Sequence, residues 1–278
     1  MRDLSRDNRF LSINAATLRR ERPLAEVAAA LAKADIPGIG PWREQIQAVG
    51  IKAAAKLIGD HDLTVSGVSR AGVFTAKGRG GLQAVLDDNR RAVDESAGIG
   101  ARCLVMIGGG LIPGSRDIAE SRALFTEGLA ALLPYARAAR LPLAIEPLHP
   151  MYAADRACIN TLAQANDICD ALGEGVGVVV DVYHTWWDPS LEREIARAGA
   201  KRIFAFHLSD WLVPTTDLLL DRGMMGDGVI DLRRIRRWVE ATGFQGLCEV
   251  EIFSQRNWWQ RPMDEVLRAC VERYRTVC

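Results

Sequence analysis

The feature that most constrains this chain is an alternation: eight short β-branched or apolar runs separated by longer helix-period segments, with no linker-like stretch from first to last. Residues 10–14, 36–42, 63–68, 103–107, 142–146, 177–182, 202–207 and 246–252 read as strands. Residues 24–33, 82–96, 118–139, 162–172, 191–198, 232–242 and 263–277 read as helices, and in the first of these Leu24, Val27 and Leu31 recur at helical spacing. The second strand run is rich in Gly and Pro, and only its place between two helices recommends it. Residues 176–180 are continuously apolar, as expected of a parallel strand with helices on one face and a filled interior on the other. A doubly wound open sheet uses the same alternation. The 278-residue length is close to the roughly 250 of a closed barrel. The expectation is therefore an α/β fold, a single (β/α)8 TIM barrel occupying residues 1–278 as one domain.

In such a barrel, functional side chains sit at the C-terminal ends of the strands. The fifth run ends in Ile145-Glu146-Pro147, the sixth in Val180-Asp181-Val182, the seventh in Phe206-His207-Leu208 and the eighth in Val250-Glu251-Ile252. Each puts one metal-competent side chain at the end of an apolar run. A carboxylate following Leu143, Ala144 and Ile145 is costly to bury alone, and a cation shared by Glu146, Asp181, His207 and Glu251 removes that cost for all of them. Any one of the four could simply be a polar strand end meeting solvent; their recurrence on consecutive strands is what points to a metal. Three carboxylates and an imidazole make a hard site suited to Mn2+, Mg2+ or Co2+, with Zn2+ allowed by His207, and Mn2+ is favoured. Glu249 competes for the eighth-strand position, because it points to the same face as Glu251, but Glu251 lies nearer the rim.

The chain carries 35 Lys plus Arg and 35 Asp plus Glu, so no global field draws it to nucleic acid or an anionic membrane. No stretch approaches the roughly 18 apolar residues of a membrane span, and residues 1–9 lack the apolar core of a secretory signal. A cytoplasmic protein with no nucleic-acid or membrane partner is expected. The six cysteines form no CxxC pair, which argues against a zinc ribbon or redox motif and for reduced, mostly buried thiols.

The segments Ala144-Ile145-Glu146-Pro147-Leu148, Val180-Asp181-Val182-Tyr183-His184, Phe206-His207-Leu208, Gly226-Asp227-Gly228-Val229-Ile230-Asp231 and Val250-Glu251-Ile252 together resemble the xylose isomerase-like barrel superfamily. That superfamily includes ketose 3-epimerases, inosose dehydratase, hydroxypyruvate isomerase and endonuclease IV. The resemblance covers nearly the whole chain. It implies that Glu146 and Glu251 touch the metal and act as the acid/base pair on opposite faces of the substrate, and that His184 binds a substrate oxygen. One departure stands out: the epimerases carry a substrate-binding Arg six residues after the seventh-strand His, where this chain has Val213. Arg222, just before Met224-Met225-Gly226-Asp227-Gly228, is the candidate replacement. Endonuclease IV needs further His ligands for three zinc ions, and the four histidines here, with His61 in a connection, are too few.

Such a constellation moves a proton beside a carbonyl, with the metal as Lewis acid and one carboxylate abstracting while the other returns the proton. The expected activity is isomerisation or epimerisation of a ketose or related polyol ketone. The alternative on the same scaffold is a carbon-oxygen lyase that dehydrates a keto-inositol or eliminates from a 3-keto-glycoside. A sugar sensor or partner subunit is the non-enzymatic reading. Trp42 and Trp186 are candidate flat walls for a sugar, and His149 could line the same mouth. For each of these, packing or surface exposure explains the residue equally well, as it does for Trp187. Trp258 and Trp259 either close the pocket or form a contact in an expected homo-oligomer, a dimer or tetramer. Gly108-Gly109-Gly110 lacks the Lys-Ser/Thr of a nucleotide loop, so close backbone approach at the barrel mouth is the expectation.

Overall fold

The computed structural model describes residues 2–278. Its strands are β1 (Leu11–Asn14), β2 (Gly38–Gly40), β3 (Thr64–Val65), β4 (Val68–Gly72), β5 (Leu104–Ile107), β6 (Leu143–Ile145), β7 (Val176–Asp181), β8 (Ile203–Leu208) and β11 (Cys248–Val250), all parallel in one sheet. The order β3-β2-β1-β11-β8-β7-β6-β5-β4 comes back on itself, because β3 and β4 are consecutive pieces of the third barrel strand. β3 pairs with β2 and β4 with β5, and a bridge between Trp42 and Ser69 joins the two ends of the ring. This is the (β/α)8 barrel.

The helices α1 (Leu24–Lys33), α4 (Leu82–Gly98), α5 (Ile118–Ala138), α6 (Leu162–Leu172), α8 (Leu191–Arg202), α9 (Leu232–Ala241) and α10 (Met263–Thr276) form the outer layer. Their starts follow local chemistry. The side chains of Asp117, Thr161 and Asp231 each accept a bond from an amide in the first turn of α5, α6 and α9. The six residues of β7 are all buried, the apolar run of residues 176–180 together with the Asp181 that ends it.

Two local differences from the sequence reading have physical causes. The segment between the second and third strands is a pair of helices, α2 (Arg43–Val49) and α3 (Ile51–Asp60), separated at Gly50, whose φ of +83° a helix interior does not accept. The third strand runs past residue 68 to Gly72 and is interrupted at Ser66 and Gly67, where the Ser66 hydroxyl bonds Glu249 inside the barrel. The glycines of β2 are also explained. A Cβ on Gly38 would meet Ser12 at 2.5 Å, and one on Gly40 would meet the Glu249 carboxylate at 2.4 Å.

After β8 the chain makes a small antiparallel ribbon, β9 (Asp210–Trp211) with β10 (Arg222–Gly223), over the C-terminal mouth. The Gly226-Asp227-Gly228 segment folds around Asp210, whose carboxylate accepts from the amides of Gly226 at 2.8 Å and Ile230 at 3.0 Å. The Arg222 amide donates to the Phe253 carbonyl at 2.9 Å, tying the ribbon to the segment beyond β11. All six cysteines are free and buried. Among the described residues no helix is long and apolar enough to cross a membrane.

Candidate active site

Glu146 follows β6 directly, Asp181 ends β7, His207 lies near the end of β8, and Glu251 follows β11. The register pairs Asp181 with His207 across β7 and β8, so the two side chains stand side by side. All four residues are buried, and each offers one ligand atom within 4.8 Å of the others. His207 Nδ1 lies 3.1 Å from Glu146 Oε1 and 4.0 Å from Asp181 Oδ2. The other oxygen of Asp181 accepts from the Tyr183 amide at 2.7 Å, which fixes the carboxylate's orientation.

Arg222 enters this cluster from the ribbon and is 3% exposed. Its Nη1 donates to Glu251 Oε2 at 2.9 Å and lies 3.4 Å from Asp181 Oδ2. The Tyr183 ring at 4.4 Å and the Phe253 ring at 5.0 Å flank its guanidinium plane. Arg222 Nη2 also lies 3.1 Å from His184 Nε2, while the His149 amide faces His184 Nδ1 at 3.2 Å. A neutral imidazole has one lone pair and satisfies only one of these two donors. Burial first, and then the Arg222 charge, hold His184 well below its ordinary pKa, so it is neutral. Arg222 Nε is buried with no partner. The His184–Arg222 pair therefore keeps a donor in reserve for an oxygen arriving in the cavity.

One layer deeper, Glu249 accepts from Asn14 Nδ2 at 2.7 Å and from the Ser66 hydroxyl, and lies 3.7 Å from His207 Nε2. Asn14 in turn accepts from the Trp42 indole at 2.8 Å, so a polar chain runs from the barrel interior to the cavity wall. Glu251 and Glu249 share a face, with Glu251 at the rim and Glu249 below it.

The electrostatics are those of crowded acids out of water. Burial pushes Asp181 up to about 6 and Glu251 up to about 7; Arg222 pulls both down, and repulsion from Glu146 adds to the rise. Burial opposes the charge on His207, but Glu249, then the Glu146 hydrogen bond, outweigh it and raise the imidazole to about 10. Four buried carboxylates face one guanidinium and one imidazole, an excess of acid that suits a divalent cation. The donor set passes a second test: His207 Nδ1 faces the carboxylates while Nε2 has no hydrogen-bond partner and looks toward Glu249. A carboxylate behind the far nitrogen is the usual support for a metal-bound imidazole.

Above the cluster lies a cavity of about 490 Å³, lined by Glu146, Glu251, His184 and Arg222 at its polar end and by Trp42, Phe253 and Trp259 along its apolar wall. That volume falls within the roughly 300–1,000 Å³ of small-molecule sites. Two residues expected at the mouth are not among its lining. Trp186 packs against Trp211 at 5.9 Å, because the helix α7 (Val182–Thr185) starts directly at Asp181 and carries it behind the site. The His149 ring stacks on Trp211 at 4.8 Å, and only its backbone amide reaches the site, through His184. Trp187 lies beside His149, and Trp258 bonds Asp227. Sequence reasoning missed Tyr152, Phe253, Arg20, Arg70 and Arg156, all on the cavity wall. The signal that revealed the cluster, a polar side chain closing an apolar run, is missing in all five: Phe253 follows the eighth run but is itself apolar, and the other four close no such run. At the triple glycine, a Cβ on Gly110 would sit 2.4 Å from the Ala154 carbonyl, so close chain approach is its role.

Fold and site thus define a (β/α)8 barrel with an acid–imidazole cluster built from four consecutive strand ends at its C-terminal mouth. The chain belongs to the xylose isomerase-like TIM barrel family, whose sequence pattern matches residues 28–270. Its structure is similar to the crystal structure of protein SMc04130 from Sinorhizobium meliloti 1021, with a TM-score of 0.95, 57% identity, and 98% of this chain and 99% of that one covered. It also shares the fold of the IolI protein with a binding zinc atom, at a TM-score of 0.81 and 19% identity over 94% of this chain and 95% of that one. Inosose isomerase from Bacillus velezensis is 30% identical over 121 residues, a stretch that spans only 41% of either chain.

Proposed function

We propose that this protein is a divalent-metal-dependent isomerase or epimerase of a ketose or related polyol ketone. The observation that carries the reading is the convergence of Glu146, Asp181, His207 and Glu251 to within 4.8 Å beneath an apolar-walled cavity. The inosose isomerase similarity and the zinc atom in the IolI structure point the same way. Glu146, Asp181, His207 and Glu251 would hold the cation, with Mn2+ preferred for a set of three carboxylates and one imidazole. Bound there, it would supply Lewis-acid polarisation of the substrate carbonyl.

The remaining steps belong to the chain itself. Glu146 and Glu251 reach the cavity from separate strands, β6 and β11 being separated in the ring by β7 and β8. In this reading one carboxylate takes the proton from the carbon beside the carbonyl and the other returns a proton on the opposite face, which inverts the centre. Return to the adjacent carbon gives isomerisation instead. His184 and the free donors of Arg222 bind substrate oxygens and hold the reacting carbon between the two acids. Arg222 thereby takes over the task that Val213 cannot perform; Val213 is 71% exposed. Trp42, Phe253 and Trp259 cover the C–H faces of the sugar and exclude water from the reacting end.

The test is reaction of the Mn2+-loaded protein with a panel of ketoses and inososes in D2O. Deuterium entering at the carbon beside the carbonyl, and abolished by Glu146→Gln, supports the reading. An unsaturated product absorbing in the ultraviolet would move the site to the lyases, and no reaction with the whole panel would sink the catalytic assignment.

A further inference from the structure

The cavity carries more positive charge than the chemistry at its floor uses. Besides Arg222, its wall includes Arg20, Arg70 and Arg156. They come from three separate places on the rim: the loop after β1, strand β4, and the loop after β6. Two other clusters match charge with charge. Arg43 pairs with Asp88 at 2.9 Å and Glu95 at 2.6 Å, and Arg197 pairs with Asp167, Asp170 and Glu194. At the cavity the pattern breaks. Among the described residues neither Arg70 nor Arg156 has a hydrogen-bonding or ion-pairing partner for its guanidinium, and Arg20 has only its neighbour Glu21 at 3.5 Å.

The arginines feel one another. Arg70 is exposed at the mouth, yet loss of water around its guanidinium first, and then repulsion from Arg156 and Arg20, hold it below the ordinary value against the pull of Glu44 and Glu146. Arg20 and Arg70 are exposed and Arg156 is half-buried, so water screens much of this repulsion, but the three guanidinium groups stand open to an arriving anion. Guanidinium forks fit the two oxygens of a carboxylate or the three of a phosphate. Of the acids at the floor, Glu251 and Asp181 are engaged by Arg222, and Glu146 attracts Arg70 without forming an ion pair with it.

We propose that the substrate carries an anionic group, a carboxylate or a phosphate, remote from its reacting carbons, and that Arg70 and Arg156, assisted by Arg20, bind it at the cavity mouth. The proposal deepens the isomerase reading and rests on it for which end of the molecule reacts. Reacting end and anchored end are then held by opposite charge patterns, which fixes the direction in which a chain-like substrate enters.

Binding tests it directly. Calorimetric titration of the Mn2+-loaded protein with D-fructose, D-fructose 6-phosphate and D-fructuronate compares a neutral ketose with its two anionic relatives. At least tenfold tighter binding of one anionic ligand is expected, with the phosphate or the uronate as the preferred one naming the group. In an Arg70→Ala/Arg156→Ala double variant that advantage falls about tenfold or more while D-fructose affinity holds, because neither side chain bonds a residue of the acid–imidazole cluster or Arg222. Equal affinity for all three ligands, absence of binding by all three, or an advantage that survives in the double variant overturns the proposal. Deuterium exchange from D2O reports separately on the catalytic reading: an anionic ligand that binds through Arg70 and Arg156 but never exchanges leaves the anion site standing and removes the isomerase.

Discussion

The two halves of the barrel mouth are built by opposite strategies. Strands β6, β7, β8 and β11 each end in a buried ionisable residue, and at short range His207 serves Glu146 while Arg222 serves Glu251. On the other half, β1, β2 and the third strand contribute Asn14, Trp42, Ser66 and glycines, with charge supplied at the rim by Arg20, Glu21 and Arg70. One half concentrates charge out of water; the other supplies shape and a polar thread through Asn14. The difference teaches that the acids proposed to react gain strength from burial, whereas the opposite wall needs space and geometry.

The comparison breaks most sharply at the acids. Asp181→Asn is expected to bring the bound metal to near zero on elemental analysis, because it removes a ligand and leaves Arg222 with one carboxylate fewer. Glu146→Gln and Glu251→Gln should each lower deuterium exchange by about 10²- to 10⁴-fold, the usual range for loss of a positioned acid or base. A loss under tenfold in both would return these two residues to a structural role. Arg222→Met comes next. It leaves Asp181 and Glu251 without their buried counter-charge, so the metal-free protein should lose roughly 3–5 kcal/mol in urea unfolding. Unchanged stability would show that the acids are neutralised without it.

The same contrast explains what could be read beforehand. Glu146, Asp181, His207 and Glu251 were legible because each interrupts an apolar strand, and an isolated charge in such a run needs a reason. The barrel was legible because helical and strand periods alternate over the whole length. Trp186 and His149 were placed at the mouth from their sequence distance to strand ends, but a helix that starts at Asp181 turns Trp186 away, and Trp211 captures the His149 ring. Arg70 and Arg156 carry no local mark, since an arginine in a loop or at an edge resembles any solvated one until the cavity is seen. The glycines of β2 blurred the second strand for a reason that lies far away in sequence, the space taken by Ser12 and Glu249.

Glu249 sits where the two halves meet, and Glu249→Gln sharpens the boundary between them. The amide keeps the shape but not the charge behind His207 Nε2. Metal affinity should drop about 10- to 100-fold, as for other outer partners of a ligating imidazole. Dialysis against graded metal buffers reads this directly, and unchanged affinity would confine Glu249 to packing against Ser66 and Asn14.

Without metal, pH acts on the charged half alone. Asp181 and Glu251 sit above their unfolded values, at about 6 and about 7, and His207 near 10. For groups raised in this way, protonation is favoured by the fold. Their stability is present at low pH and is lost as pH rises through the folded values. The depressed His184 and His149 favour the higher pH and offset part of this, but three raised groups outweigh them, so the metal-free protein should melt a few degrees higher at pH 5.5 than at pH 8, at about 2–4 °C per kcal/mol. Added Mn2+ should stabilise most at pH 8, where the carboxylates are free to bind it. A metal-free melting point that rises with pH across this window would contradict the buried-acid picture.

The smallest effect separates two tryptophans that sequence alone treated alike. Trp42 lines the cavity and donates to Asn14, so Trp42→Phe removes that bond and part of the flat wall. Loss of one neutral hydrogen bond and some contact area corresponds to about 1 kcal/mol, or a several-fold rise in KM with little change in kcat if the wall binds substrate and transition state equally. Trp186 stands behind α7, with its indole nitrogen buried and unpartnered. Trp186→Phe deletes a polar atom that makes no bond, so it should leave KM unchanged, any small stability cost coming from lost packing against Trp211. Equal KM shifts for both variants would mean that the loop after β7 swings Trp186 into the cavity when substrate binds, and the apolar wall would then extend to the charged half of the mouth.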